Sequence, residues 1–135
     1  MRTWQIILLV AAVIAAFAQV AASQTPEAKP VVPKYNVASE VTLKGTIVEV
    51  SDHQCPISGT MGFHFMLKAA DQTIEVHVAA SKFMKDYELV LSKGDEVEVI
   101  GSKVKFEDAD TILARQVTRG TDVFVFRDKT GKPVW

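Results

Sequence analysis

From about residue 40 onwards, hydrophobic and polar positions alternate with a period of two, in short runs separated by turn residues, which is the pattern of a half-buried β-structure. Val41 to Val50 reads as a first strand, with Gly45 in its interior, where a strongly bent strand tolerates a missing side chain. Phe63, Phe65 and Leu67 then alternate with His64, Met66 and Lys68. After a turn at Ala70-Asp71, Ile74, Val76 and Val78 alternate with Thr73, Glu75 and His77, so the two runs form a hairpin. Ser81 is placed to cap a short helix from Lys82 to about Leu89, in which Phe83 and Tyr87 stand four apart and can plug an open barrel end. Lys93-Gly94-Asp95 turns the chain into a strand from Glu96 to Gly101 that resumes at Val104 to Phe106. A polar turn at Glu107 to Asp110 leads to another strand, Ile112 to Val117. Beyond Gly120, Val123 to Phe126 and Lys132 to Trp135 predict a C-terminal hairpin around Asp128 to Gly131, with Trp135 packed on the barrel because an indole buries a large apolar area.

The order β-β-β-α-β-β predicts an all-β fold: a five-stranded Greek-key barrel of the oligonucleotide/oligosaccharide-binding (OB) plan, with one short helix between strands 3 and 4 and a C-terminal hairpin. One domain is expected over 39–135, its extension starting at about 121. Ahead of it, Arg2, the apolar run Ile6 to Phe17 and the small residues Ala18 to Ser23 have the layout of a secretory signal peptide over 1–23. An apolar run broken by Gln5 and Gln19 is a poor membrane span, so no stable membrane insertion is expected after cleavage, and the cleavage region lacks the cysteine of a lipoprotein anchor. Residues 24–38, with Pro26, Pro30 and Pro33, read as an extended linker. The expected location is periplasmic or secreted.

Val41 to Val50, the hairpin from Phe63 to Val78 and the strand Gly94 to Gly101 resemble those of exported bacterial OB-fold proteins, including the stress-induced periplasmic group. The likeness spans roughly Ser39 to Gly120 and is one of fold plan, carrying no catalytic motif. It implies a periplasmic five-stranded barrel that binds small ligands or cations and performs no chemistry. This chain departs from that pattern in the loop Asp52 to Gly62 and in the tail after Gly120.

Lys and Arg number 15 against 16 Asp and Glu, for a net charge of −1, and loss of Arg2 with the leader makes the remainder one unit more negative. Basic and acidic residues are interspersed, a poor footprint for gripping a polyanion. A single cysteine cannot form an internal disulfide, so the core must hold the fold and Cys55 is a free thiol, an intermolecular partner or a ligand.

All three histidines and the cysteine fall between His53 and His77, together with Met61 and Met66. A turn centred on Ala70-Asp71 pairs Phe65 with Val76 and Leu67 with Ile74 on the core side; it also pairs His64 with His77 and Met66 with Glu75 on the outward face. Directly opposed β-carbons lie about 5 Å apart, close enough for two imidazoles to share an ion. A slip of one residue would mismatch the apolar faces. The loop Ser51 to Gly62 can add His53 and Cys55, giving a nitrogen-rich set with one sulfur suited to zinc or copper, and the thioethers of Met61 and Met66 favour copper. Gly59 and Gly62 are read as turn residues or as backbone that approaches an anion. The competing reading is that the histidines are surface residues of an exposed hairpin, Cys55 is half-buried and inert, and the methionines cover apolar surface.

A cysteine nucleophile with His53 or His64 as base finds no orienting acid or oxyanion hole at recognisable spacing, so no enzyme is expected. Nucleic-acid or oligosaccharide binding on the barrel face needs exposed aromatics, yet Phe63 and Phe65 fall on the core side. The expectation is a non-enzymatic exported binding module that takes a copper or zinc ion at His64, His77, His53 and Cys55. The alternative is a metal-free module for a nucleic acid, an oligosaccharide, another small ligand or a protein partner.

Overall fold

The computed structural model describes residues 32–135. The leader and most of the linker lie outside the described residues. After a 3-10 turn at Val37–Ser39 come β1 (Glu40–Gln54), β2 (Met61–Ala69), β3 (Gln72–Ala80), α1 (Ser81–Asp86), β4 (Glu96–Phe106), β5 (Ala109–Arg119) and β6 (Asp122–Val125). The strands pair in the order β3-β2-β1-β4-β5-β6, and a parallel pairing of β3 with β5, Glu75 to Thr111 through His77 to Leu113, joins the two ends of the five-stranded run. The fold is all-β, and the first five strands close on themselves in the connectivity expected from the sequence, with the helix between β3 and β4.

The inward positions of every strand meet in one core, where Ile47, Phe65, Leu67, Val76, Val99 and Ile112 are buried. At Gly45 an added β-carbon would collide with the backbone carbonyl of Lys68. That glycine is therefore required by the close approach of β2 as well as by the bend of β1.

Three local expectations are corrected. The first strand does not end at Val50: β1 runs on to Gln54 and pairs with β2 out to Met61, so the connecting loop shrinks to the residues between them, Cys55 to Thr60. Ser81 does not cap α1 from outside; it is the first helical residue, and its hydroxyl donates to the Asp52 carboxylate on β1. The helix is correspondingly short, ending at Asp86, and the Phe83 ring lies tilted 4.8 Å from that of Tyr87 and edge-on 6.4 Å from that of Phe126.

The C-terminal run folds back as the expected hairpin around Asp128 to Gly131, with Asp128 N–H donating to the Lys132 carbonyl at 2.9 Å and Val134 N–H to the Phe126 carbonyl at 3.1 Å. Val123 and Phe124 pair back onto β5, opposite Thr118 and Val117. The backbone N–H groups of Phe126 and Arg127 both donate to the Arg115 carbonyl, which ends the strand and turns the fully buried Phe126 into the core. The tail returns as a single bridge between Arg127 and Pro133, with Trp135 half-buried and its ring 5.1 Å from the Arg127 guanidinium. On the other side Tyr35 hydrogen-bonds Glu40, whose carboxylate also accepts from Arg115 Nε at 2.7 Å, and the Asn36 N–H donates to Ser102 Oγ at 3.0 Å. These contacts tie the chain ahead of β1 to the barrel wall.

Candidate metal centre

The hairpin register is the one the apolar alternation predicts: His64 faces His77, Phe65 faces Val76, Met66 faces Glu75 and Leu67 faces Ile74. A bulge between Phe63 and His64 follows, and bulges re-aim the side chains beside them. The two imidazoles stack with centroids 4.0 Å apart.

Their exposure contradicts the expectation of an open outward face. His64 is 1% exposed and His77 7%. The short β1–β2 loop folds over this part of the hairpin, its turn closed by Cys55 N–H to Thr60 and Gly59 N–H to Cys55 at 2.8 Å each. Leu113 of β5 and the tail residues Arg127 and Trp135 complete the cover. Cys55 is thus buried rather than half-exposed, at 3%. It sits inside the cover, whereas His53, two residues earlier and still in β1, keeps nearly half of its side chain in solvent. His53 and Cys55, expected to serve one ion together, therefore fall in different donor sets.

Cys55 Sγ lies 3.3 Å from His77 Nδ1, and the donor atoms of Cys55, His64 and His77 all fall within 4.8 Å of one another. A sulfur and a nitrogen bound tetrahedrally to one zinc ion would be about 3.6 Å apart, so the pair needs little movement to accept an ion. The cavity among these residues is about 20 Å³, room for one ion or water and for no organic ligand. Gly62 keeps that room: a β-carbon there would stand 2.8 Å from His64 Nε2 and 2.9 Å from the Cys55 β-carbon.

Glu75 is the residue that pattern reading left unassigned. Its Oε1 lies 3.2 Å from His64 Nδ1 and its Oε2 3.7 Å from His77 Nε2, so one carboxylate stands behind both imidazoles on the side away from Cys55. The spacing Glu75-x-His77 on one strand face, diagonal to His64 across the hairpin, was the available signal. Met66 is half-buried on that face, and Met61 is 49% exposed at the start of β2.

The charges in this pocket are coupled. Burial pushes the Cys55 thiol up, but hydrogen bonding to His64 and His77 outweighs it and brings the group down to about 4. Burial alone would lower His77, yet Cys55 and then Glu75 raise it to about 9, and the same two partners raise His64. Glu75 is held well below the usual carboxylate range by His64 and His77. The shifts favour negative charge on Cys55 and Glu75 and positive charge on the imidazoles between them.

The model of the MamS/MamX magnetosome protein family matches residues 39–124. The chain belongs to this family. A comparison with curated proteins found no match. The span matched to the MamS/MamX model contains His53, Cys55, His64, Glu75 and His77 and stops before Arg127 and Trp135. It assigns the chain to a magnetosome protein family and not to the stress-induced periplasmic group expected from the order of elements. Among the described residues of this MamS/MamX member, no helix is long and apolar enough to cross a membrane.

Proposed function

We propose that this protein is an exported, non-enzymatic metal-binding module of the magnetosome, holding one copper or zinc ion at Cys55, His64 and His77. The observation that carries the reading is the convergence of a buried cysteine sulfur and two buried imidazoles on a cavity the size of one ion. Thiolate with two imidazoles is a donor set that suits copper and zinc, and two histidines with one cysteine in a plane is the trigonal set of electron-transfer copper sites. Glu75 supports the reading as the partner of the far ring nitrogens, because a histidine ligand usually gives its other nitrogen to a carboxylate that fixes tautomer and orientation.

The same enclosure argues against nucleophilic catalysis. A thiolate paired with an imidazole is chemically activated. Its sulfur here is covered by loop and tail, and the space beside it cannot admit a substrate carbonyl. The leader pattern over 1–23 and the family's magnetosome description together support a role outside the cytoplasm at that structure.

The test is titration of the exported protein, kept reduced, with Cu(I), Cu(II) and Zn(II), beside a Cys55→Ser variant. Loss of one tightly held ion per chain with the sulfur is the expected result. Intense visible absorption with Cu(II), absent in the variant, would assign copper to the thiolate. Binding of equal strength in both proteins would remove the centre from Cys55.

A further inference from the structure

His64 belongs to two convergent donor sets at once. Its Nε2 lies on the Cys55 side, beside Gly62, while its Nδ1 faces Glu75 Oε1 at 3.2 Å. On that second side His53 Nε2 stands 3.8 Å from the same carboxylate oxygen, and the donor atoms of His53, His64 and Glu75 lie within 4.8 Å of one another. The His53 ring meets the His64 ring edge-on at 4.0 Å. Two light donors held tetrahedrally by one ion about 2.1 Å away would be about 3.4 Å apart, so separations of 3.2 and 3.8 Å bracket the requirement.

Both ring nitrogens of His64 are buried, and neither has an aligned hydrogen-bond partner. A neutral imidazole carries one donor and one acceptor, and leaving both unmade in a buried position is costly. An ion on the Cys55 side satisfies only one of them. The other points into the His53/Glu75 set, which is a different kind of place. His53 and Glu75 are partly exposed, and they line an open cavity of about 290 Å³ whose wall also carries Glu107.

We infer that His53, His64 and Glu75 form a second metal site, open to solvent, for a divalent first-row transition ion that does not need sulfur. Two imidazoles and one carboxylate with unfilled positions are the donor set that suits divalent iron and its neighbours, and the cavity leaves room for the ion's remaining waters. With both sites filled, His64 would offer Nε2 to one ion and Nδ1 to the other, the ring giving up its N–H protons to solvent. Glu75, which stands behind the histidines of the buried centre when the outer ion is absent, becomes a ligand when it is present. The outer site shares His64 with the proposed thiolate centre but does not depend on it.

Cobalt(II) titration of the exported protein tests this, because only a thiolate-bound cobalt gives a strong sulfur-to-metal absorption in the near ultraviolet. The wild-type protein should take up two ions, one with that band and one without. Cys55→Ser should keep one ion without the band, and adding His53→Ala to it should weaken this ion at least 100-fold. His53→Ala alone should retain the banded ion, and since His53 is exposed its removal leaves the fold intact, as far-ultraviolet circular dichroism will record. Saturation at a single banded ion, or a Cys55→Ser ion indifferent to His53, overturns the outer site. Loss of the band with the His53-sensitive ion retained overturns the buried centre and leaves the outer one standing.

Discussion

At the scale of single residues, the proposed centre would exchange a proton for an ion. Cys55, brought to about 4, is already a thiolate at neutral pH, whereas His77, raised to about 9, is still protonated. Binding at the proposed thiolate centre would therefore expel a proton from His77 but none from Cys55. Apparent affinity for zinc is expected to rise with pH up to about 9 and then level off, by about tenfold per unit for each proton released. Calorimetry in buffers of different ionisation enthalpy reads that proton count, and a pH-independent affinity would contradict the assignment. Gly62 offers a second check. Its missing β-carbon is what keeps His64 Nε2 and Cys55 clear, so Gly62→Ala should weaken zinc at the thiolate centre by about 10-fold or more, while circular dichroism shows a folded barrel.

At the scale of elements, the hairpin β2–β3 was legible because its apolar residues admit one register. Phe65 against Val76 and Leu67 against Ile74 can face the core only if His64 meets His77. The extent of β1 was less legible, since Ser51 to Gln54 carry no apolar alternation and are held by pairing with β2. Helix α1 shows the same limit: Ser81 has a cap's identity, but the Asp52 carboxylate on a distant strand takes its hydroxyl. Local propensity is a weak prior where a tertiary partner competes. The turn into the tail is a stronger case. Phe126 is fully buried after β6 ends, so Phe126→Ala should cost about 3–5 kcal/mol in denaturant unfolding, whereas Val123→Ala on the exposed part of β6 should cost less than about 1 kcal/mol.

At the scale of the whole molecule, a barrel of this size without a disulfide depends on its core and on a few ties across its surface. One tie is the Glu40 carboxylate, lowered first by Arg115 and then by Tyr35. Because its folded value lies below the unfolded one, its contribution is present above the ordinary carboxylate range and is lost as pH falls through the folded value. Glu40→Gln should therefore lower the melting temperature at pH 7 and make less difference near pH 3, which thermal scans at the two pH values compare. An ion at the proposed thiolate centre would link loop, hairpin and barrel. Free zinc at about 100 times its dissociation constant should stabilise the fold by about 2.7 kcal/mol and raise the melting temperature by roughly 10–20 °C. Removal of the ion by a chelator should reverse the shift, and an unchanged melting temperature would count against a site built into the fold.

Sequence alone determined the all-β plan, the position of the helix between the third and fourth strands, and the facing of His64 and His77, because period-two burial leaves little freedom in register. It could not determine which face of that hairpin is wet. The outward side of a barrel strand is exposed only if nothing else covers it, and here a six-residue loop, Leu113 on β5 and the tail at Arg127 and Trp135 do so. That cover is made of residues distant along the chain, and no local pattern encodes their meeting. Tertiary structure alone therefore separated His53 from Cys55, turned two apparent surface histidines into buried ones, and set Glu75 behind both, because burial and diagonal contact arise from the closing of the sheet.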